Sequence, residues 1–110
     1  MPGTFVIQKG AKDAVRFNLR AGNNQVILTS ESYSTKASAL TGIESVRKNS
    51  QDDARFTRKK AKDGSAYFVL TAKNGETIGK SEVYTSTAGM ENGIKSVAAN
   101  APGAKVVDKT

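Results

Sequence analysis

Apolar and polar residues alternate along several short stretches of the chain, which is the pattern of half-buried β-strands. Val15, Phe17 and Leu19 alternate with polar residues, and the stretch 66–72 repeats this pattern with Phe68 and Leu70 at inward positions. Asn-Asn and Asn-Gly pairs follow these two strands, and both pairs are typical of tight turns. Further strands are predicted at Thr4–Lys9, Gln25–Glu31, Glu76–Glu82, Ala54–Lys59 and Lys105–Val107.

The period changes to that of an amphipathic helix after each set of three strands. Each helix has four inward positions at i, i+3, i+4 and i+7, and in both the second is glycine, so we expect each helix to lie close to the sheet there. These stripes are Ala39, Gly42, Ile43 and Val46, and Met90, Gly93, Ile94 and Val97. The predicted N-caps are Ser34 or Thr35, and Thr85 or Ser86. Asn49 and Asn100 are predicted to end the helices in the left-handed conformation.

The two sets of elements are copies of one unit. A shift of 51 residues aligns 5–53 with 56–104 without a gap, and sixteen of these 49 positions are identical. We therefore predict an α+β fold in which two β-β-β-α repeats, about 4–53 and 55–107, form one domain over residues 1–110. One antiparallel-rich sheet would carry both helices on one face, and each unit would borrow a fourth strand from the segment after its helix. Because the two copies already pair with each other, we expect a monomer with an internal pseudo-twofold axis.

The composition excludes several kinds of chemistry. The chain has neither cysteine nor histidine, so thiolate or imidazole metal ligands and Ser-His or Cys-His nucleophiles are ruled out. We expect no catalytic residues, no cofactor and no metal. The sequence has no long apolar run and no signal-peptide pattern at MPGTFVIQKG, so we expect a cytoplasmic protein that does not enter membranes. The formal charge of +7 permits, without requiring, a nucleic-acid partner.

Two related strings carry a family resemblance, ILTSESYSTKASALTGIESVRKN and IGKSEVYTSTAGMENGIKSVAANAP. They resemble the YegP-like family of small bacterial proteins, which have one or two copies of a short domain of unknown function. The second copy contains the family string Glu91-Asn92-Gly93-Ile94, whereas the first has Leu40-Thr41 before its Gly-Ile pair. The resemblance implies β3-α-β units with a shared sheet and exchanged terminal strands, so that the 54–59 strand crosses between units. It implies no activity, substrate or catalytic residue.

A basic run is the first candidate site. It could neutralise phosphates, with Phe56 or Tyr67 available to stack a base. Alternatively, it is a charged strand and turn that keeps a sheet edge soluble. The run consists of Arg55, Arg58, Lys59, Lys60 and Lys62.

The sheet face opposite the helices is the second candidate. A partly apolar and partly basic face could bind nucleic acid or another protein, and the alternative is an ordinary solvated sheet. Its predicted outward residues include Arg16, Asn18, Arg20, Tyr67, Val69 and Thr71, together with Val26 and Leu28 if Ile27 points inward.

Two matched pairs, Glu31 with Tyr33 and Glu82 with Tyr84, are the third candidate. A carboxylate base and a phenol donor could define a catalytic pocket. The alternative is a purely structural role, in which the tyrosines supply apolar area and the glutamates satisfy backbone donors near the helix starts. The sequence predicts a non-enzymatic binding or structural module, and the alternative function is a weak, sequence-tolerant nucleic-acid binder.

Overall fold

The computed structural model describes residues 3–110, so Met1 and Pro2 of the predicted domain lie outside the described residues. Seven strands and two helices follow one another in the order that the repeat predicts. They are β1 (Thr4–Lys9), β2 (Val15–Arg20), β3 (Val26–Ser30), α1 (Lys36–Asn49), β4 (Phe56–Lys60), β5 (Ala66–Thr71), β6 (Thr77–Lys80), α2 (Thr87–Asn100) and β7 (Lys105–Asp108).

All seven strands form one sheet in the order β4-β5-β6-β3-β2-β1-β7. Neighbouring strands are antiparallel except β1 and β7, which are parallel. The strand that follows each helix joins the other repeat, because β4 pairs with β5 and β7 pairs with β1. The predicted α+β fold with exchanged strands is therefore confirmed.

Both helices pack on one face of the sheet over a single core. The predicted stripes are the buried residues of the two helices, and Phe17, Leu19, Phe68 and Leu70 meet them from the sheet. The two stripe glycines allow a close approach, since a Cβ on Gly42 or Gly93 would lie 2.7 Å from a tyrosine ring carbon. Thr35 and Ser86 cap the helices by accepting the N–H groups of the residues three positions later.

The ends of the helices differ from the sequence prediction. Asn49 and Asn100 are helical, and the C-caps Ser50 and Ala101 have right-handed φ values of −65° and −59°. Each Asn side chain instead donates its amide to the backbone carbonyl four residues earlier, at 2.8 Å. The side-chain amide therefore satisfies a backbone carbonyl of the last turn, so no residue in the left-handed conformation is needed to end the helix.

A β-bulge in each repeat overturns the prediction that Leu28 points away from the helices. Leu19 pairs with Leu28 while Arg20 pairs with Val26, so Ile27 is an extra residue and both it and Leu28 are buried. The second repeat has the same irregularity at Ile78. Position 79, the counterpart of Leu28, is glycine, and a Cβ there would lie 3.0 Å from Leu28 Cγ. The two repeats meet between β3 and β6, where only one of these two positions has room for a leucine.

Candidate functional site

The strand register defines the sheet face that the helices leave uncovered, here called the open face. It holds five basic residues and, within residues 3–110, no acidic strand position, because the single acidic strand residue, Asp108, shares the other face with Ile7. The basic residues are Arg16, Arg20, Lys59, Lys80 and Lys105. The neutral positions are Thr4, Val6, Gln8, Asn18, Val26, Thr29, Thr57, Tyr67, Val69, Thr71, Thr77 and Val107.

The arginines of the open face keep their charge unneutralised. Arg20 Nε donates to the side-chain oxygen of Asn18 at 3.0 Å, and Arg16 Nε donates to the hydroxyl of Ser32 at 2.9 Å. Neither arginine forms an ion pair with any residue in the range 3–110. Asn18 thus orients a guanidinium with a neutral acceptor, which leaves the positive charge available to an anion.

Tyr67 provides the aromatic surface of the open face. The Lys80 ammonium lies 4.9 Å from its ring centroid, and the ring is half-buried beside Lys59 of the neighbouring strand. Val69 is on the same face as predicted, but only 8% of it is exposed. The open face is therefore polar and basic, and its apolar part is smaller than the sequence suggests. The sequence alone does not place Lys80 and Lys105 on the open face. The orientation of Lys80 depends on the bulge, and that of Lys105 depends on the parallel pairing of β7.

The basic run does not form one surface, because strand alternation and ion pairs divide it. Arg55 pairs with Asp52 at 3.3 Å, and Arg58 lies between Asp53 at 2.9 Å and Glu91 at 2.7 Å. The hydrogen bond from Arg58 lowers the pKa of Glu91, and the two carboxylates raise the pKa of Arg58.

Of the rest of the run, Lys59 points to the open face and Lys60 to the helix side, while Lys62 lies in the following turn. Phe56 is 5% exposed and packs edge-on against Phe68 with ring centroids 5.5 Å apart. It is therefore unavailable for base stacking, and Lys59 alone joins the run to the open face.

Glu31 and Tyr33 line a cleft of about 590 Å³ between α1 and the β5–β6 turn. Glu76 from that turn and Ser45 from the helix line it as well. Burial, then the charges of Glu31 and Glu76, raises the pKa of Tyr33, so its hydroxyl stays protonated and can donate at neutral pH.

The second pair is placed differently, since Glu82 and Tyr84 line none of the three cavities described. In both repeats the tyrosine ring stacks on a core phenylalanine, with centroids 6.0 Å apart for Tyr33 and Phe17 and 6.5 Å apart for Tyr84 and Phe68. Each tyrosine also packs against the stripe glycine of its helix. This shared packing gives both tyrosines a structural role in the core.

The described residues were also compared with what a metal site and a membrane-spanning helix require. Within residues 3–110, no three acidic side chains come together as a metal site would require. None of the helices in this part of the chain is long and apolar enough to cross a membrane.

The comparisons with known proteins agree with the duplicated fold. The model of a domain of unknown function, DUF1508, matches the chain twice, at residues 11–56 and 61–108. The whole chain is 56% identical to a UPF0339 protein of Bordetella pertussis, of which it covers 98%. It is also 46% identical to the UPF0339 protein YegP of Escherichia coli O157:H7, with both chains covered in full.

The chain belongs to the UPF0339 (YegP) family. The solution NMR structure of YegP from E. coli has a TM-score of 0.94 and 44% identity, and the match covers 100% of this chain and 95% of that one. A UPF0339 protein from Shewanella oneidensis has a TM-score of 0.92 and 45% identity, with 98% and 92% covered. YegP is described as a protein of unknown function, so family membership establishes the fold and leaves the activity open.

Proposed function

We propose that this protein is a non-catalytic binding module whose open face holds a polyanion, and that the polyanion is single-stranded nucleic acid. One observation carries the proposal: the strands place five cations and no acid on the uncovered side of the sheet, within the described residues. The acids lie instead on the helix side and in the loops, as Glu91 and Asp53 do. This separation leaves a charge of +5 at the strand positions of one side, out of a net +7 for the chain.

The shape and chemistry of the open face favour a single strand over a duplex. Proteins read the major groove of DNA with a helix or a narrow two-stranded ribbon, and a seven-stranded sheet is too wide to enter it. Single strands are instead laid across sheets, where cations follow the phosphates and aromatic rings stack on bases. Tyr67 supplies one such ring on the open face. A single ring provides little base discrimination, so binding is expected to be weak and tolerant of sequence.

The absence of histidine and cysteine from the sequence supports a non-catalytic role. The pairing of the two repeats supports a monomer, since β3 and β6 already join them edge to edge within one chain and β7 of the second repeat pairs with β1 of the first. We expect this monomer to act in the cytoplasm. A stable dimer in size-exclusion chromatography with light scattering would contradict this part of the proposal.

Fluorescence anisotropy with a labelled oligothymidine of about 20 nucleotides tests the proposal, at salt concentrations between about 50 and 200 mM. Binding should be micromolar at low salt, and log K should fall against log salt with a slope of up to about −3.5 for five phosphates. Charge reversal of Arg16 and Arg20 should weaken binding and reduce this slope by at least about 1.4, since two phosphate contacts are lost.

The matched control reverses Lys48 and Lys95, two exposed lysines on the helix side of the molecule. It changes the net charge by the same amount and should leave most of the affinity intact. Equal losses for the two double variants would show that net charge alone drives binding, and the open face would not be the site. A dissociation constant above about 10⁻⁴ M at physiological salt would refute nucleic acid as the partner.

A further inference from the structure

The two edges of the sheet are not equivalent, although the two repeats are. At one edge β7 lies parallel to β1, with Thr4 opposite Lys105 and Ile7 opposite Asp108. At the other edge β4, the counterpart of β1, pairs only with β5 among the described residues. Among the residues that the structure describes, β4 is therefore unpaired along the edge at which its counterpart β1 pairs with β7.

The pairing of β7 with β1 shows which contacts a strand at this position makes. The Lys109 N–H donates to the carbonyl of Ile7 at 2.8 Å, which continues the parallel ladder. The Asp108 carboxylate forms an ion pair with Lys36 at the start of α1. Val106 lies on the helix side opposite Phe5. An extended segment with a β-branched residue followed by an acid therefore closes the groove between β1 and α1.

The outer edge of β4 has the same layout as that of β1 but carries different charges. A cavity of about 220 Å³ opens between β4 and α2, at the place that corresponds to the β7 groove of the first repeat. Arg58 replaces Ile7, and Thr87 replaces Lys36. The residues lining this cavity are Arg58, Lys59, Lys60, Ala66, Thr87, Met90 and Glu91.

The backbone of β4 presents free hydrogen-bonding groups at this edge. The Ala61 N–H donates to the carbonyl of Ser65 at 2.8 Å, which sets the alternation along the hairpin. In an antiparallel pair every second residue exchanges hydrogen bonds with its partner strand. The residues whose N–H and C=O groups then point away from β5 are Phe56, Arg58 and Lys60. The Phe56 N–H already donates to the Asp53 carbonyl, so the donors available at this edge are the N–H groups of Arg58 and Lys60.

We propose that the β4 edge binds an acidic, extended peptide segment of a partner protein as a parallel eighth strand. Addition of a strand to a free sheet edge is an established mode of peptide recognition, in which the main chain supplies affinity and the side chains supply specificity. The charge of the edge selects the partner, since Lys59 and Lys60 form no ion pair within residues 3–110. Arg58, the counterpart of Ile7, is already neutralised by Asp53 and Glu91, so the charge that attracts an acidic segment is that of the two lysines.

A second copy of the chain does not fit this edge. Two β4 strands side by side would bring the unpaired lysines Lys59 and Lys60 of both copies together, and like charges facing each other across strands are destabilising. The β7 strand of a second copy is already engaged with its own β1. The edge therefore favours a different protein, and its charges discourage self-association.

Titration of the ¹⁵N-labelled protein with two peptides tests the proposal. The first peptide, acetyl-AEVVDET-amide, is an acidic version of residues 104–110, and the second, acetyl-AKVVDKT-amide, keeps the basic residues of the chain. At up to about 1 mM, the acidic peptide should shift the amide resonances of Arg58 and Lys60, and the basic peptide should bind less tightly. Amide shifts confined to the open face, equal binding of both peptides, or no shifts at all would overturn the proposal.

Two variants sharpen the result. Thr87→Lys gives the empty groove the lysine that holds Asp108 in the first repeat, and it should tighten binding of the acidic peptide roughly 1.4- to 5-fold, the range of an exposed ion pair. Lys60→Pro removes an outward-facing N–H at a position where an edge strand tolerates proline, and it should abolish the shifts while the spectrum stays dispersed. If Thr87→Lys left the affinity unchanged, the parallel register copied from β7 would be wrong. Light scattering that showed a dimer without peptide would identify the occupant as a second copy and overturn the proposal.

This inference shares only Lys59 with the open face and does not rest on Arg16 or Arg20. The double charge reversal of Arg16 and Arg20 should leave peptide binding within twofold of the original value, whereas it should weaken nucleic-acid binding. Each site can therefore fail its own test without affecting the other.

Discussion

Replacement of Gly93 by alanine is expected to destabilise the protein, although alanine is the better helix former. The helix α2 crosses the sheet directly over Tyr84 and Phe68 at this glycine. A Cβ at position 93 would lie 2.7 Å from Tyr84 Cζ and 3.2 Å from Phe68 Cε2. The first distance is shorter than real Cβ atoms show, so the helix or the tyrosine must move.

The net cost follows from two opposing effects. Overpacking of a well-packed core costs about 1–3 kcal/mol of the free energy of unfolding. Alanine regains up to about 1 kcal/mol over glycine in a helix interior. The ring of Tyr84 stacks on Phe68 and has little room to retreat, so the steric cost should prevail. We expect a net loss of about 1–2 kcal/mol for Gly93→Ala.

Gly89 in the same helix provides a matched control. A Cβ there would lie 3.3 Å from the Ser86 hydroxyl and at least 3.6 Å from Tyr84. A Cβ at position 89 meets the N-cap hydroxyl and reaches the Tyr84 ring only at ordinary contact distance, so Gly89→Ala should change the free energy of unfolding by less than about 1 kcal/mol. Urea unfolding followed by circular dichroism measures both variants, with the midpoint compared at a constant m value. If Gly93→Ala were as stable as the original protein, the close approach of helix and sheet would not be the reason for the glycine.

Two further predictions concern the polar groups of the core. Ser81→Ala should lower the free energy of unfolding by about 1–3 kcal/mol, because the Ser81 hydroxyl accepts the buried N–H of Phe68 at 2.9 Å and no other partner replaces it. Denaturant unfolding measures the loss, and Thr85→Ala on the exposed surface should change stability by less than about 0.5 kcal/mol. Burial raises the pKa of Tyr33 and Tyr84, so in a spectrophotometric titration both should ionise above the ordinary value of 10.0. Their folded pKa lies above the unfolded one, so the stability they add is complete below pH 10 and is lost as the pH rises through the folded pKa.

Both predictions, for Ser81→Ala and for the tyrosine titration, can be contradicted by a specific result. An alanine at position 81 that left stability unchanged would show that the hydroxyl bond to Phe68 contributes nothing beyond solvation. Ionisation of both tyrosines at or below the ordinary value would mean that their hydroxyls are open to water.

The secondary structure was largely predictable, because it depends on residues close together in the chain. The alternation around Phe17 and Phe68 and the helical stripes beginning at Ala39 and Met90 matched the observed elements and their buried faces. The ends of the helices were not predictable from residue type, because Asn49 satisfies a carbonyl with its side chain instead of adopting the left-handed conformation.

The candidate site was only partly predictable. Arg16, Arg20 and Tyr67 lie on the open face as expected, since the period of a strand determines the side to which each points. The basic run looked like one surface in the sequence, but Arg58 is paired with Glu91, 33 residues away. No local pattern contains a contact across that distance.

The sequence by itself determined the duplicated unit, its strands and helices, and the resemblance to the UPF0339 (YegP) family. The tertiary structure decided which strands lie at the edges, where the bulges fall, and which charges remain unpaired. Within residues 3–110 it placed β7 beside β1 at one edge and left the outer side of β4 unpaired at the other, although the repeats are alike. Hydrophobic periodicity records the preferences of residues two to four positions apart, whereas register, edges and ion pairs arise between segments that meet only after the chain has folded.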